Sequence, residues 1–321
     1  MADDRPTFSR AAALGLIAGS AALPLRATAQ TLPVIRAGVQ FSNETFSELE
    51  YGVEAGIFTR NRLDVQTTSF ASAGPIAAAL AGGALDVGSV DVIVLANAVN
   101  RGVPLVALAG SGLFRTKEPT SGLCVSNTST LRTAKSFEGA TIAVGTLVSL
   151  TSISLRMWLA QNGANVDKVQ FVEMKFAEMP AALQRGTVAA AYVVEPLLTQ
   201  YAEQLKLVAT PYSVIADTFP ISLIVTTRAW LAQNADTARR FVAATYETAR
   251  WVNANRPQTA VMLAKYTKLD LPVVQKMSRT LFATSLEPAM IQPVLNAATA
   301  NKLIDRPTNA ADLMLARAAT S

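Results

Sequence analysis

The segment AALAGGALDVGSVDV at residues 78–92 comes back later in the chain as AALQRGTVAAAYVVE at residues 181–195. In both copies Ala-Ala-Leu is followed three residues on by glycine, Leu80 to Gly83 and Leu183 to Gly186. Both then run into an apolar, strand-like segment that ends in an acid, Asp91 in the first copy and Glu195 in the second. What precedes each copy also matches. A strand at 35–39, a helix at about 46–55, Gly56 and a strand at 63–67 lead into the first. A strand at 141–144, a helix at about 150–161, Gly163 and a strand at 169–174 lead into the second. A chain that writes β-α-β-α-β twice is constrained to two similar α/β lobes. Facing each other they form a cleft, with Asp91 and Glu195 at strand carboxyl ends, where open α/β sheets bind their ligands.

Length and charge agree with two such lobes. A chain of 321 residues, half hydrophobic and 16% charged, is globular and ample for two domains. The net charge is +5, with no dense Lys/Arg run interleaved with aromatics, which argues against a nucleic-acid surface. The amino terminus reads as a cleaved export signal over residues 1–29. Arg5 and Arg10 precede an apolar run at 11–25, and Ala27-Thr28-Ala29 supplies the small residues of a cleavage site before Gln30. Arg5-Pro6-Thr7-Phe8 has part of a twin-arginine pattern, with Pro6 in place of the second arginine, so the export route stays open. Cys124 is the only cysteine, so there is no intrachain disulfide and no lipid anchor on an amino-terminal cysteine. Histidine is absent, which with one cysteine argues against a metal cluster and removes the usual near-neutral general base. The expected location is the periplasm.

Candidate site residues follow from the strand ends. The loop after the first strand holds Phe41, Ser42 and Asn43, a stacking aromatic and two cap-like polar residues. Glu44 follows as a first-turn acid. Ser72 lies at the turn before the helix that carries Ala78 and Leu80, and Asp91 ends the first repeat. In the second half Thr146, Ser149, Thr151 and Ser152 open a helix whose free N–H groups suit an anion, and Glu195 ends the second repeat. Arg115 reads as a solvated loop charge. Beyond Trp230 the pattern is helical at 237–254, 257–266, 271–282 and 288–298, a tail that packs on the first lobe. Residues 211–220 read as a loop. The lobes divide as 30–124, 125–220 and a return at 221–321, with hinges near Cys124 and Pro220.

The series Gly56-Ile57-Phe58, Leu63-Asp64-Val65, Leu80-x-x-Gly83-x-x-Asp86-Val87-Gly88 and Gly102-Val103-Pro104-Leu105 resembles a family of ABC-transporter solute-binding proteins. That family serves nitrate, aliphatic sulfonates, taurine and thiamine-pyrimidine precursors. Phe137-Glu138-Gly139-x-Thr141-Ile142-Ala143-Val144, Leu183-x-x-Gly186 and Glu195-Pro196 continue the likeness over nearly all the mature chain. One departure is Ala189-Ala190, where the family has Asp-Ala, which implies local repacking. The resemblance implies an α/β fold of the periplasmic-binding-protein type II, with two hinge strands. It also implies a monomer that closes on a small molecule and hands it to an ABC permease in the inner membrane, with no cofactor. A small organic anion, carboxylate or sulfonate, is the expected ligand. A zwitterion or neutral heterocycle is the alternative that suits Asp91 and Glu195 better. An enzyme using those two acids as an acid/base pair, and a ligand sensor, are the other readings.

Overall fold

The structure, a computed structural model, describes residues 32–40 and 44–315. The signal-like segment and the candidate residues Phe41, Ser42 and Asn43 lie outside them.

Both copies of the repeat build the same unit. The first is β1 (Val34–Val39), α1 (Glu48–Glu54), α2 (Ile57–Arg60), β2 (Asp64–Ser69), α3 (Ala73–Ala81) and β3 (Val87–Asp91). Its strands lie parallel in the order β2-β1-β3. After α4 (Val92–Asn100) and β4 (Leu105–Gly110), the chain passes through β5 (Gly112–Arg115) to β6 (Ser121–Ser126). The second unit is β7 (Thr141–Val144), α5 (Leu150–Gln161), β8 (Gln170–Glu173), α6 (Met179–Gln184) and β9 (Ala190–Val194), with parallel order β8-β7-β9. Then come α7 (Leu197–Gln200), β10 (Leu205–Ala209), β11 (Thr218–Pro220) and β12 (Ser222–Thr227). Helices α8 (Arg228–Gln233), α9 (Ala235–Ala254), α10 (Arg256–Thr267) and α11 (Leu271–Lys276), strand β13 (Leu281–Phe282) and α12 (Pro288–Ala300) complete it.

Each unit gains two further strands, one of them beside its third. The first sheet is β2-β1-β3-β12-β4 and the second β10-β6-β9-β7-β8. β12 runs antiparallel to β3 as β6 does to β9, so the two sheets are alike even in their added strands. Helix α9 lies on the first lobe with Ala238, Phe241, Thr245, Thr248 and Val252 buried at helical spacing. Phe241 stacks on Phe58 of α2. Among the described residues, no helix is long and apolar enough to cross a membrane.

Three expected boundaries change. Cys124 lies inside β6, buried against Ala143, Met179 and Val193 of the second lobe, so it is not at the crossing. The chain crosses earlier, after β5, because Ser121–Ser126 already pair with β9 and β10. The 211–220 loop contains β11, which pairs with β5. The helix expected to reach Phe282 stops at Lys276, and Leu281–Phe282 pair with the other edge of β5. A three-stranded sheet, β11-β5-β13, therefore joins both crossings to the tail.

Packing around β1 and β3 explains two glycines. Gly38 and Gly88 are direct partners across the parallel pair. A Cβ on Gly38 would stand 2.6 Å from Leu85 Cδ1, and one on Gly88 would collide with Ile76 Cγ2. The missing side chains form the seat for Ile76 of α3. Beside it, Asp86 accepts from Arg36 N at 2.8 Å, Nε at 3.0 Å and Nη2 at 2.7 Å. In the second lobe Ala189 occupies the equivalent place. Its N–H donates to Thr141 O as that of Asp86 donates to Arg36 O, but it has no carboxylate to tie the strand start.

Two acids on α1 are buried without hydrogen-bond partners, Glu48 and Glu50. The Ser111 hydroxyl neighbours Glu48 and partly offsets its desolvation, although neither group closes to bonding geometry. Burial pushes both carboxyls up to about 8.

Two outcomes are expected. Gly88→Ala should cost about 1–3 kcal/mol through overpacking, read as a lower midpoint in urea with unchanged slope; an unchanged midpoint would show that Ile76 has another seat. The second concerns pH. The folded state holds protons on Glu48 and Glu50 that the unfolded chain releases near 4.5, so their contribution is full below that value and is lost as pH rises to about 8. Melting temperature should fall across that window, and less steeply in Glu48→Gln; equal slopes would remove Glu48 as the cause.

Candidate functional site

The carboxyl ends of β3 and β9 open onto a cavity of about 350 Å³ between the two sheets. Asp91 lines it from the first lobe. Its side chain caps α4, with Oδ1 accepting from Ile93 N and Val94 N, both at 2.9 Å. Burial raises its pKa, opposed by those two N–H groups. From the second lobe come Thr146, Ser149 and Thr151. Ser149 caps α5 by accepting from Ser152 N at 3.2 Å, and its hydroxyl donates to Thr146 O.

The inner wall is made of tyrosines that sequence reasoning did not single out. Tyr212 OH pairs with Thr151 Oγ1 at 2.9 Å and Tyr192 OH with Ser121 Oγ at 3.0 Å. The two rings stand 5.7 Å apart, and Phe114 and Phe219 of the hinge sheet pack against Tyr212. Burial pushes Tyr212 up to about 12 and Tyr192 well above its ordinary value, so both stay protonated at neutral pH. A signal for Tyr192 was present, since it stands two residues before Val194 and strand side chains alternate. Tyr212 is packed in place by contacts distant in sequence, which no local pattern reports.

Glu195 does not line this cavity, although the repeat suggested it would face Asp91. The two acids are out of register by one residue. With Leu80 aligned on Leu183 and Gly83 on Gly186, Asp91 falls on Val194 and Val92 on Glu195. Val194 lines the cavity, and alternation along the chain sends Glu195 away from it. There Glu195 borders a second cavity of about 290 Å³ with Thr120, Leu263, Tyr266 and Met277. Its Oε1 accepts from Thr199 Oγ1 at 3.0 Å and from Ser278 N at 3.1 Å, and Oε2 accepts from Thr199 N at 3.0 Å. Ser278 follows α11, so Glu195 ties the second lobe to the tail. Burial raises its pKa and these N–H groups oppose that.

The remaining candidates fall outside the cavity wall. Ser72 is the exposed N-cap of α3 and is not among the lining residues. Ser152 is fully buried on the inner face of α5, with its hydroxyl unpartnered among the described residues. Glu44 is held by Arg279 Nε at 2.7 Å, Tyr51 OH at 3.0 Å and Thr280 N at 3.0 Å, which leaves it structural. Arg115 pairs with Glu118 at 2.8 Å. Phe46 and Phe176 supply aromatic lining on the two lobes. Among the described residues, no group of His, Cys, Asp or Glu could hold a metal ion.

This architecture is shared with solved structures. The periplasmic aliphatic sulphonate binding protein SsuA from Escherichia coli superposes with a TM-score of 0.74 at 18% identity, covering 88% of this chain and 97% of that one. SsuA from Xanthomonas axonopodis pv. citri, bound to MOPS, gives 0.69 at 17% identity, covering 88% and 98%. The desulfurization enzyme DszB gives 0.70 at 12%, covering 89% and 97%. The fold is therefore the periplasmic-binding-protein type II fold expected from the sequence. No curated protein sequence matches the chain. A family profile matches residues 44–267, from the turn after β1 to the end of α10, and on that match the chain belongs to the NMT1-like family.

Proposed function

We propose that this protein is the solute-binding component of an ABC-type importer. It takes a small organic molecule into the cavity between its lobes and presents it to a membrane permease. The observation that carries the reading is the cavity itself. It lies where equivalent strand ends of two like sheets, Asp91 and Val194, meet the starts of α4 and α5. Its volume of about 350 Å³ suits a small ligand. The SsuA structures, which carry the same fold, are binding proteins by name. The signal-like segment at 1–29 supports export to the periplasm, with the chain acting as a monomer.

Two segments, 116–120 and 210–217, cross between the lobes, braced by the pairing of β5 with β11. Closure about this short sheet would bring Thr146 and Ser149 toward Asp91. An enzyme on the same fold, as DszB is, has weaker support here. The acid/base pair it would use is Asp91 with Glu195, and these two side chains border different cavities.

A thermal-shift screen of the purified protein against small solutes tests the role. A true ligand at a hundred times its Kd should add about 2.7 kcal/mol of stability. Val194→Trp, which fills the cavity, should abolish the shift while the ligand-free melting temperature stays near that of wild type. A shift that survives Val194→Trp would move binding out of the cavity and end this reading.

A further inference from the structure

The charge of the ligand can be read from what the cavity has already used. Helix starts attract anions through their free N–H groups, and two face this cavity. At α4, Asp91 occupies the Ile93 and Val94 N–H groups with its own carboxylate. At the approach to α5, the Leu147 N–H lies between the lining residues Thr146 and Val148 and donates to the Glu173 carboxylate at 2.7 Å. The Ser152 N–H is taken by Ser149. At α4, then, the place where an anion would sit already holds a carboxylate of the protein itself.

Among the described residues, no lysine or arginine lines the cavity to offset Asp91. Arg115 and Arg279 are paired with Glu118 and Glu44. Two pairs of lining hydroxyls bond each other, Thr151 with Tyr212 and Ser121 with Tyr192. Both capping bonds to Asp91 land on Oδ1, so Oδ2 is the acceptor left for a ligand. Phe46, Ile93, Leu150, Phe176 and Val194 make much of the remaining wall apolar. An anion here would meet the Asp91 carboxylate and no cation among the described lining residues; a donor would meet an acceptor.

Resting on the binding role proposed above, we infer that the cavity selects a small, largely apolar molecule of zero or positive charge. Such a molecule donates an N–H to Asp91 Oδ2, and the cavity rejects sulfonates and carboxylates of the same size. This reverses the anion expected from the hydroxyl-rich start of α5 and favours the alternative held beside it. Glu195 has no part in the selection.

The test is a thermal-shift panel of solutes matched in size and sorted by charge: amines and amidines, amides, and sulfonates and carboxylates. Calorimetry on each hit follows. Hits confined to the cationic and neutral sets, weakened about tenfold to a hundredfold by Asp91→Asn, sustain the inference. Asparagine also caps helices well, so the variant should fold, and its ligand-free melting temperature checks that it does. Glu173→Gln, which keeps a side-chain oxygen for the Leu147 N–H, is the second variant; it should weaken a cationic hit, with its ligand-free melting temperature as the folding check. Anionic hits that Val194→Trp abolishes and Asp91→Asn leaves intact or improves would overturn the charge assignment and keep the binding role. A panel with no hit of any charge would overturn the binding role, and the assignment with it.

Discussion

A helix that follows a parallel strand begins with N–H groups that no turn of its own can satisfy, and they lie beside the strand's carboxyl end. The cleft depends on how the chain meets that demand. In the first lobe Asp91 does so from the N-cap of α4. In the second, Ser149 caps α5 and Glu173 reaches across from β8 to Leu147. The Asp91 and Ser149 caps are ordinary ones, each worth about 0.5–2 kcal/mol to its helix. Asp91 and Ser149 thus serve their helices from the wall of the candidate cavity.

The repeat was legible because apolar periodicity reports which face of an element is buried, and the parallel cores of both lobes are built from such elements. α5 falls on residues 150–161 as read, and β7 on 141–144. What failed to show is the strand pairing at the hinge. β5, β11 and β13 are short, and β11 ends in a proline. Phe114 is held by Tyr212 and Phe219 from the far side of the second lobe's sequence. Pairing of this kind has no local pattern. The same holds for Ser278, which meets Glu195 only after the tail has folded back.

The site was half legible, and the reason lies in a single residue of offset. An acid ends each repeat, so the two looked like equivalents. Strand side chains alternate, however, and a shift of one turns a cleft residue into one on the other face. Glu195 then serves as a tie between the second lobe and the tail, near the Glu44–Arg279 pair that fixes the turn after β1 to the segment before β13. Both partners of that pair are almost wholly buried. A buried ion pair is more a constraint on geometry than a source of net stability, and here it holds the start of the first lobe to the hinge sheet.

Cys124 has a use that its burial creates. It is the sole cysteine, it is enclosed in the second lobe, and burial lifts its thiol to about 12, so almost none is thiolate at neutral pH. A maleimide dye would pass it by. Val148, on the rim of the cavity, is 76% exposed. The protein is thereby ready for site-selective fluorescent labelling at Val148→Cys without first removing a native thiol, and a dye on that rim would report a change in its surroundings as a change in emission.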